Sequence, residues 1–209
     1  MARDLYKLNY SNRVNSIIDS DFSGRGFHFK LEGLYCFLIY YHRDFISRNG
    51  VLPLKVTLEK AIESDAQSIF DIQVNAFLPL LEVYKDYNTN PANETIERTI
   101  TRINNTSGGF YKIIMDTILV GAIGVLCKEE TRFWISPMFI LPKYQGQGIA
   151  QKAITQIEKV FPQAVSWELA TIAEEKRNCY LYEKMGFTKT DVINRINDGT
   201  TLVYFKKVL

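Results

Sequence analysis

Residues 139–153, Phe-Ile-Leu-Pro-Lys-Tyr-Gln-Gly-Gln-Gly-Ile-Ala-Gln-Lys-Ala, constrain the fold more than any other stretch of the chain. The apolar run from Ile135 to Leu141 reads as a buried strand. A glycine-bearing turn follows, and apolar residues then recur at helical spacing at Ile149, Ala153, Ile154, Ile157 and Val160. The first turn of a helix carries N–H groups without intrahelical acceptors, at the end where the helix dipole is positive. Glycines at that point let a phosphate oxygen come close to the main chain. The run therefore predicts a strand–turn–helix unit that seats a phosphate or a pyrophosphate.

Composition bounds the rest. A chain of 209 residues can bury a full core, and its length suits one domain plus an extension. A net charge of +2 without a Lys/Arg cluster argues against a nucleic-acid partner. Leu34 to Tyr41, the longest apolar run of the first fifty residues, is too short to span a bilayer. It also lies too far into the chain to be a signal peptide, so no membrane role is expected. Cys36, Cys127 and Cys179 are odd in number and far apart, which suggests neither a disulfide framework nor a zinc site and fits a cytoplasmic protein. The only histidines, His28 and His42, precede the patterned part of the chain, so a histidine triad or metal centre there is excluded.

A boundary falls at 49–53, Asn-Gly-Val-Leu-Pro. Residues 1–53 form an aromatic-rich extension of unknown role, and residues 54–209 the main domain. In that domain Leu54 to Leu58 alternates like a strand, and Ser64 and Asp65 can cap a helix carrying Ile69, Ile72, Val74 and Ala76. Phe77 to Pro91 reads as irregular. A second helix capped by Asn93 carries Ile96, Ile100 and Ile103. Phe110 to Met115 and Ile118 to Cys127 predict a hairpin across Asp116-Thr117, followed by a strand from Arg132 to Leu141 and a helix from Gly146 to Val160. A strand from Ala164 to Thr171, a helix from Ala173 to Met185 and two strands around Asn197-Asp198-Gly199 close the chain. The succession predicts a mixed α/β domain with one mostly antiparallel sheet flanked by helices. The helix after Gly146 would cross between parallel neighbours.

Two motifs in this setting resemble the GNAT (Gcn5-related N-acetyltransferase) family. Gln145-Gly-Gln-Gly-Ile-Ala150 is similar to its Q/R-x-x-G-x-G/A acetyl-CoA signature, and Leu181-Tyr-Glu-Lys-Met-Gly-Phe187 to its L-Y-x-x-x-G-F segment. The resemblance spans roughly Leu54 to Leu209. It implies a splayed sheet that holds acetyl-CoA as cosubstrate, with the diphosphate on the backbone of Gln145, Gly146, Gln147, Gly148, Ile149 and Ala150. It also implies a pantetheine arm paired with Met138, Phe139 and Ile140. An amine would attack the thioester directly, and Tyr182 would protonate the departing thiolate. Glu175 and Asn178 depart from the family's usual asparagine and alanine, and Asn178 is a candidate to hydrogen-bond the pantetheine. The strand from Arg132 to Leu141 lacks an obvious glutamate, which leaves Glu168 or a water chain as the base.

The resemblance thus implies an N-acetyltransferase acting on a primary amine of a small molecule or peptide. A binding or regulatory module that keeps acyl-CoA without turnover is the alternative. A dinucleotide fold is disfavoured by Gln151 at the sixth motif position, and a P-loop is excluded because no G-K-[ST] follows the glycines. In this family the connection between the first two helices often lines the acceptor site. That makes Phe77, Glu82, Tyr84 and Asp86 candidates to hold an amine through carboxylate pairing and aromatic contact. Leu34 to Tyr41 is apolar on both faces if extended, and suits a buried strand, a homodimer contact or a leader.

Overall fold

The computed structural model describes residues 55–209. The extension, with its run from Leu34 to Tyr41, lies outside the described residues.

The chain alternates strands and helices as its periodicity predicts, with boundaries set by local chemistry. β1 (Val56–Lys60) leads through a 3₁₀ turn (Glu63–Asp65) into α1 (Ala66–Tyr84). A second 3₁₀ turn (Pro91–Asn93) precedes α2 (Ile96–Ile103). Three strands follow, β2 (Gly109–Met115), β3 (Ile118–Glu129) and β4 (Arg132–Ile140). Then come α3 (Ile149–Val160), β5 (Ser166–Ile172), α4 (Lys176–Lys184), β6 (Thr188–Asn197) and β7 (Thr200–Val208). The strands form one seven-stranded sheet in the order β1-β2-β3-β4-β5-β7-β6. All neighbours are antiparallel except β4 and β5, which α3 connects as a crossover.

Several boundaries differ from expectation. α1 does not stop before Pro79 but runs on to Tyr84 with the proline inside it. Pro79 removes one ladder hydrogen bond, but Asn75, whose carbonyl loses that donor, is solvent-exposed. Continuing the helix lets Phe77 and Leu81 pack inward. The helix ends at Lys85, which is left-handed with φ 53°. Thr95, not Asn93, holds the N-cap position of α2, without a side-chain capping bond; Asn93 belongs to the turn before it, its side-chain amide donating to the Tyr87 carbonyl. α3 begins at Ile149, since Pro142–Tyr144 forms its own 3₁₀ turn and Gly146 and Gly148 both take φ +76°. Val160, placed on the apolar face of α3 by periodicity, is 44 % exposed at its frayed end.

Burial divides the helices between the two faces of the sheet. Ile69, Ala76 and Phe77 of α1, with Ile100 and Ile103 of α2, pack on Phe110, Ala122 and Phe139. Ile149, Ala153, Ile154 and Ile157 of α3, with Tyr182 of α4, pack on the opposite face against Phe133, Ile135, Trp167, Leu169 and Phe205. Both helix sets show the i, i+3, i+4 spacing that gives a helix one apolar stripe.

The sheet does not stay closed along its length. β4 and β5 pair only from Arg132↔Ser166 to Trp134↔Glu168. Beyond that, β4 continues to Ile140 and β5 to Ile172 without pairing to each other. Just past the last pair β4 carries an extra residue, with Ser136 and Pro137 standing opposite the single Gly124 between Ile123↔Met138 and Val125↔Ile135. Such a bulge bends its strand. Gly124 is required because a Cβ there would lie 2.5 Å from the Ser136 carbonyl oxygen. The divergence leaves one edge of β4 free over 135–140 and opens a cleft between β4 and β5.

One half-buried carboxylate fixes α1 relative to α2, and so fixes one wall of the cleft. Glu94 accepts from both terminal nitrogens of Arg102 and from Nε2 of the fully buried Gln73 on α1 (3.1 Å). Burial alone would raise the Glu94 carboxyl, but Arg102, Arg98 and Gln73 together hold it below the usual range. Its stabilising effect is thus present above the unfolded-state carboxyl pKa and lost as pH falls through the lowered folded value. Glu94→Gln is expected to cost about 1–3 kcal/mol at neutral pH, as the loss of charge-assisted bonds in a half-buried network. Urea melts across an acid-to-neutral series should show a smaller gap between variant and wild type at low pH.

Candidate active site

The cleft encloses a cavity of about 470 Å³. Its walls come from α1 (Ala76, Phe77, Pro79, Leu80), the end of β4 (Met138, Phe139, Ile140), the glycine turn with the start of α3, and the first turns of α4. Each wall follows from the fold. Phe77 lies within α1 and lines the cleft, and its ring meets Phe139 edge-on at 5.7 Å. Met138 to Ile140 form the edge of β4 that β5 has left.

The glycine turn presents its backbone to this space. Tyr144 N–H bonds to Leu141 O and Gln145 N–H to Pro142 O, and the first bond of α3 runs from Lys152 N–H to Gly148 O at 3.2 Å. No acceptor among the described residues takes the N–H groups of 146 to 151. Positive φ at Gly146 and Gly148 turns these groups toward one side, a conformation that residues with a Cβ seldom adopt. A Cβ on Gly148 would meet nothing within 4 Å. This glycine therefore serves backbone conformation and leaves open space in front of the amides. Gln145 folds the turn back on β4, its side-chain amide donating to Ile140 O at 2.9 Å.

On the opposite wall, Asn178 and Tyr182 lie one helical turn apart on α4 and both face the cavity. Tyr182 is 7 % exposed, and its ring packs against Phe187 and Phe205 at 6.0 and 5.8 Å. Burial holds its phenol well above the usual range, and Cys179 adds to the effect. The hydroxyl has no hydrogen-bond partner among the described residues. The phenol is therefore neutral at ordinary pH, and Tyr182 lines the cleft.

The cavity thus brings together Met138, Phe139, Ile140, Gln145, Gly146, Gly148, Ile149, Ala150, Asn178, Tyr182 and Phe77 of the sequence-predicted residues. Gln147 sits in the turn with its side chain donating to Lys143 O at 3.3 Å, away from the cavity.

The carboxylates are arranged differently from expectation. Glu168 lies at the closed end of the sheet, paired with Trp134, and its oxygens face Arg132 (3.1 Å), Lys206 (3.7 Å) and Lys128 (3.9 Å). It does not line the cavity, and these cations occupy it as an ion cluster. Asp86 is 5 % exposed and accepts from Asn90 Nδ2 at 2.8 Å, closing the loop after α1. Glu82 is exposed on α1 and does not line the cavity.

Tyr84 reaches the site indirectly, its hydroxyl donating to Glu175 at 3.3 Å. Burial, with Glu175 next in effect, raises the Tyr84 phenol and keeps it protonated to donate. Glu175 lines the cavity and, among the described residues, is the only carboxylate that does so; Arg177 is the only described cation that does.

Sequence reasoning did not assign Arg177, Pro79, Leu80 or Tyr144 to the site. Arg177 had a usable signal, because it lies four residues before Leu181 on the motif helix. Among the described residues, no group of three or more His, Cys, Asp or Glu side chains is placed to hold a metal ion. No described helix is long and apolar enough to cross a membrane.

Comparison with known proteins agrees with this geometry. The family model described as "Acetyltransferase (GNAT) domain" matches residues 82–209. Protein YrkN of Bacillus subtilis (strain 168) is 31 % identical over 144 residues, which cover 67 % of this chain and 77 % of YrkN. Among solved structures, the PaiA N-acetyltransferase from Thermoplasma acidophilum in complex with coenzyme A superposes with a TM-score of 0.61 at 14 % identity, covering 74 % of this chain and 99 % of that one. The ribosomal-protein-S18-alanine N-acetyltransferase from Escherichia coli gives 0.57 at 15 % identity, covering 74 % and 94 %. The two structural likenesses establish the fold, and the family match with the YrkN relationship establishes membership: the chain belongs to the GNAT acetyltransferase family.

Proposed function

We propose that the protein is an N-acetyltransferase that moves the acetyl group of acetyl-CoA to a primary amine of a small molecule or peptide. The observation that carries this reading is the set of main-chain N–H groups at 146–151 that have no acceptor among the described residues, beside a cavity with a buried phenol, likewise without a described partner, on its far wall. The diphosphate rests on those amides, where the helix dipole and the absence of a Cβ at 146 and 148 favour an anion. The pantetheine arm lies along the free edge of β4 at Met138 to Ile140 and meets Asn178 across the cleft. In this reading the thioester lies near Tyr182.

The amine nitrogen attacks the thioester carbonyl carbon, and the carbon–sulfur bond breaks. The departing thiolate takes the proton of the Tyr182 hydroxyl. The attacking nitrogen gives its extra proton to Glu175, directly or through one water, while Tyr84 holds a carboxylate oxygen of Glu175 in place. Direct attack is supported by what lines the cavity: no cysteine, serine, threonine, lysine or histidine is among the described lining residues. Cys179 turns its sulfur toward the Ile172 and Ala173 carbonyls, at 3.8 Å each, and burial pushes its thiol up and keeps it protonated. Phe77, Pro79 and Leu80 give the acceptor an apolar seat beside the Glu175 carboxylate, which suits a cationic amine on an apolar body.

Thiol release from acetyl-CoA against a panel of amines tests the reading. Amine-dependent release is expected, and mass spectrometry of enzyme incubated with acetyl-CoA alone should find no acetylated protein. Saturable acetyl-CoA binding with no release for any amine would favour the regulatory alternative.

A further inference from the structure

The cavity contains a cation that the glycine signature does not include. Arg177 stands in the first turn of α4, on the β5 side of the cleft, whereas the glycine turn leads into α3 on the β4 side. Its Nη2 lies 3.9 Å from where a Cβ would stand on Gly146, and both residues line the same cavity. The side chain is exposed, and it forms no ion pair or hydrogen bond with any described residue, including its neighbours Glu174 and Glu175. An arginine beside amides that have no acceptor among the described residues, and in no ion pair with a described carboxylate, has the charge and planar fork that suit a phosphate oxygen pair.

We infer that Arg177 is the second jaw of the phosphate site, gripping a cofactor phosphate from α4 while the amides of 146–151 hold the phosphate from the α3 side. The inference rests on the acetyl-CoA reading above. It has a structural consequence. Past Trp134 and Glu168 no strand pairing joins the two arms of the sheet. A phosphate bound by both arms bridges them at the point where the backbone does not. Coenzyme A carries phosphate at its diphosphate and at its ribose 3′ position, and either could be the group that Arg177 meets.

Steady-state kinetics of wild type, Arg177→Gln and Arg177→Lys separate these cases with three thioesters: acetyl-CoA, acetyl-dephospho-CoA and acetyl-pantetheine. Arg177→Gln should fold as wild type, since the side chain has no described partner to lose, and its Tm checks this. Removing one exposed charge-assisted contact should lower kcat/KM for acetyl-CoA about tenfold and flatten its dependence on salt. Arg177→Lys should recover part of the loss. Neither variant should differ from wild type on acetyl-pantetheine, which has no phosphate. A loss that persists with acetyl-dephospho-CoA assigns the diphosphate to Arg177; a loss that disappears assigns the 3′-phosphate. Wild-type kinetics for Arg177→Gln on acetyl-CoA, or an equal loss on acetyl-pantetheine, would overturn the inference while leaving the acetyltransferase reading intact. A wild-type protein that neither binds nor consumes acetyl-CoA would overturn both.

Discussion

Tyr182→Phe is expected to lower kcat by about 10²–10⁴-fold, the range that a positioned proton donor supplies. The change removes one oxygen and leaves the ring packed against Phe187 and Phe205, so stability and acetyl-CoA affinity should stay near wild type. That split distinguishes an acid from an anchor. An aromatic that merely holds α4 to the sheet would tolerate Phe without kinetic change. The raised phenol also makes a pH statement. Its proton is retained across neutral and alkaline conditions, so an alkaline fall in kcat near ordinary tyrosine ionisation should not originate at Tyr182. Thiol release, measured at saturating acetyl-CoA and amine for both proteins across a pH series, checks both expectations. Equal turnover by the variant would remove the acid role.

Gly148→Val should have the other large effect, on binding rather than chemistry. Nothing stands within 4 Å of a Cβ at this position, so the damage is not a clash inside the protein. It arises from φ +76°, which a β-branched residue does not hold readily, and from the isopropyl group standing in front of the amides. If the turn relaxes to negative φ, the N–H groups of the α3 terminus point elsewhere. Losing two or more charge-assisted hydrogen bonds should raise the acetyl-CoA Kd by about 100-fold or more. The cost in folding stability should be smaller, about 1–2 kcal/mol. Calorimetric titration paired with a thermal melt separates the two, and wild-type affinity in the folded variant would show that the turn is only a connector.

The fold was legible in the sequence where its causes are local. The strand–glycine–helix unit was, because its logic is local: periodicity marks both elements, and two closely spaced glycines mark a backbone that needs positive φ. The mostly antiparallel sheet with one parallel pair followed from element order and the crossover rule. The cleft-lining position of Tyr182 was legible through its motif, and that of Asn178 through its place one helical turn earlier on the same helix.

The end of α1 was not, because Pro79 reads as a breaker until tertiary packing of Phe77 and Leu81 is known to outweigh the lost hydrogen bond. Glu168 illustrates a different limit. Strand alternation correctly sets it opposite Trp167 and Leu169. Only the register with Trp134 reveals that it lies at the closed end of the cleft. Its cations, Lys128, Arg132 and Lys206, come from three separate strands or turns and carry no local signature. Asp86 was similarly opaque, since its bond to Asn90 is a loop contact that any acid–amide spacing of four could or could not form. Glu175, noted in the sequence only as a departure from the family pattern, gains its role from Tyr84, ninety-one residues away.

Main-chain amides at the start of α3 are proposed to bind the diphosphate of the thioester. An amide-resolved NMR titration of the wild-type protein with coenzyme A observes those groups directly. The resonances of residues 146–151 should shift the most, and should saturate together with a single Kd. Saturable binding that leaves these amides unmoved, or no binding by the folded protein, would contradict this assignment.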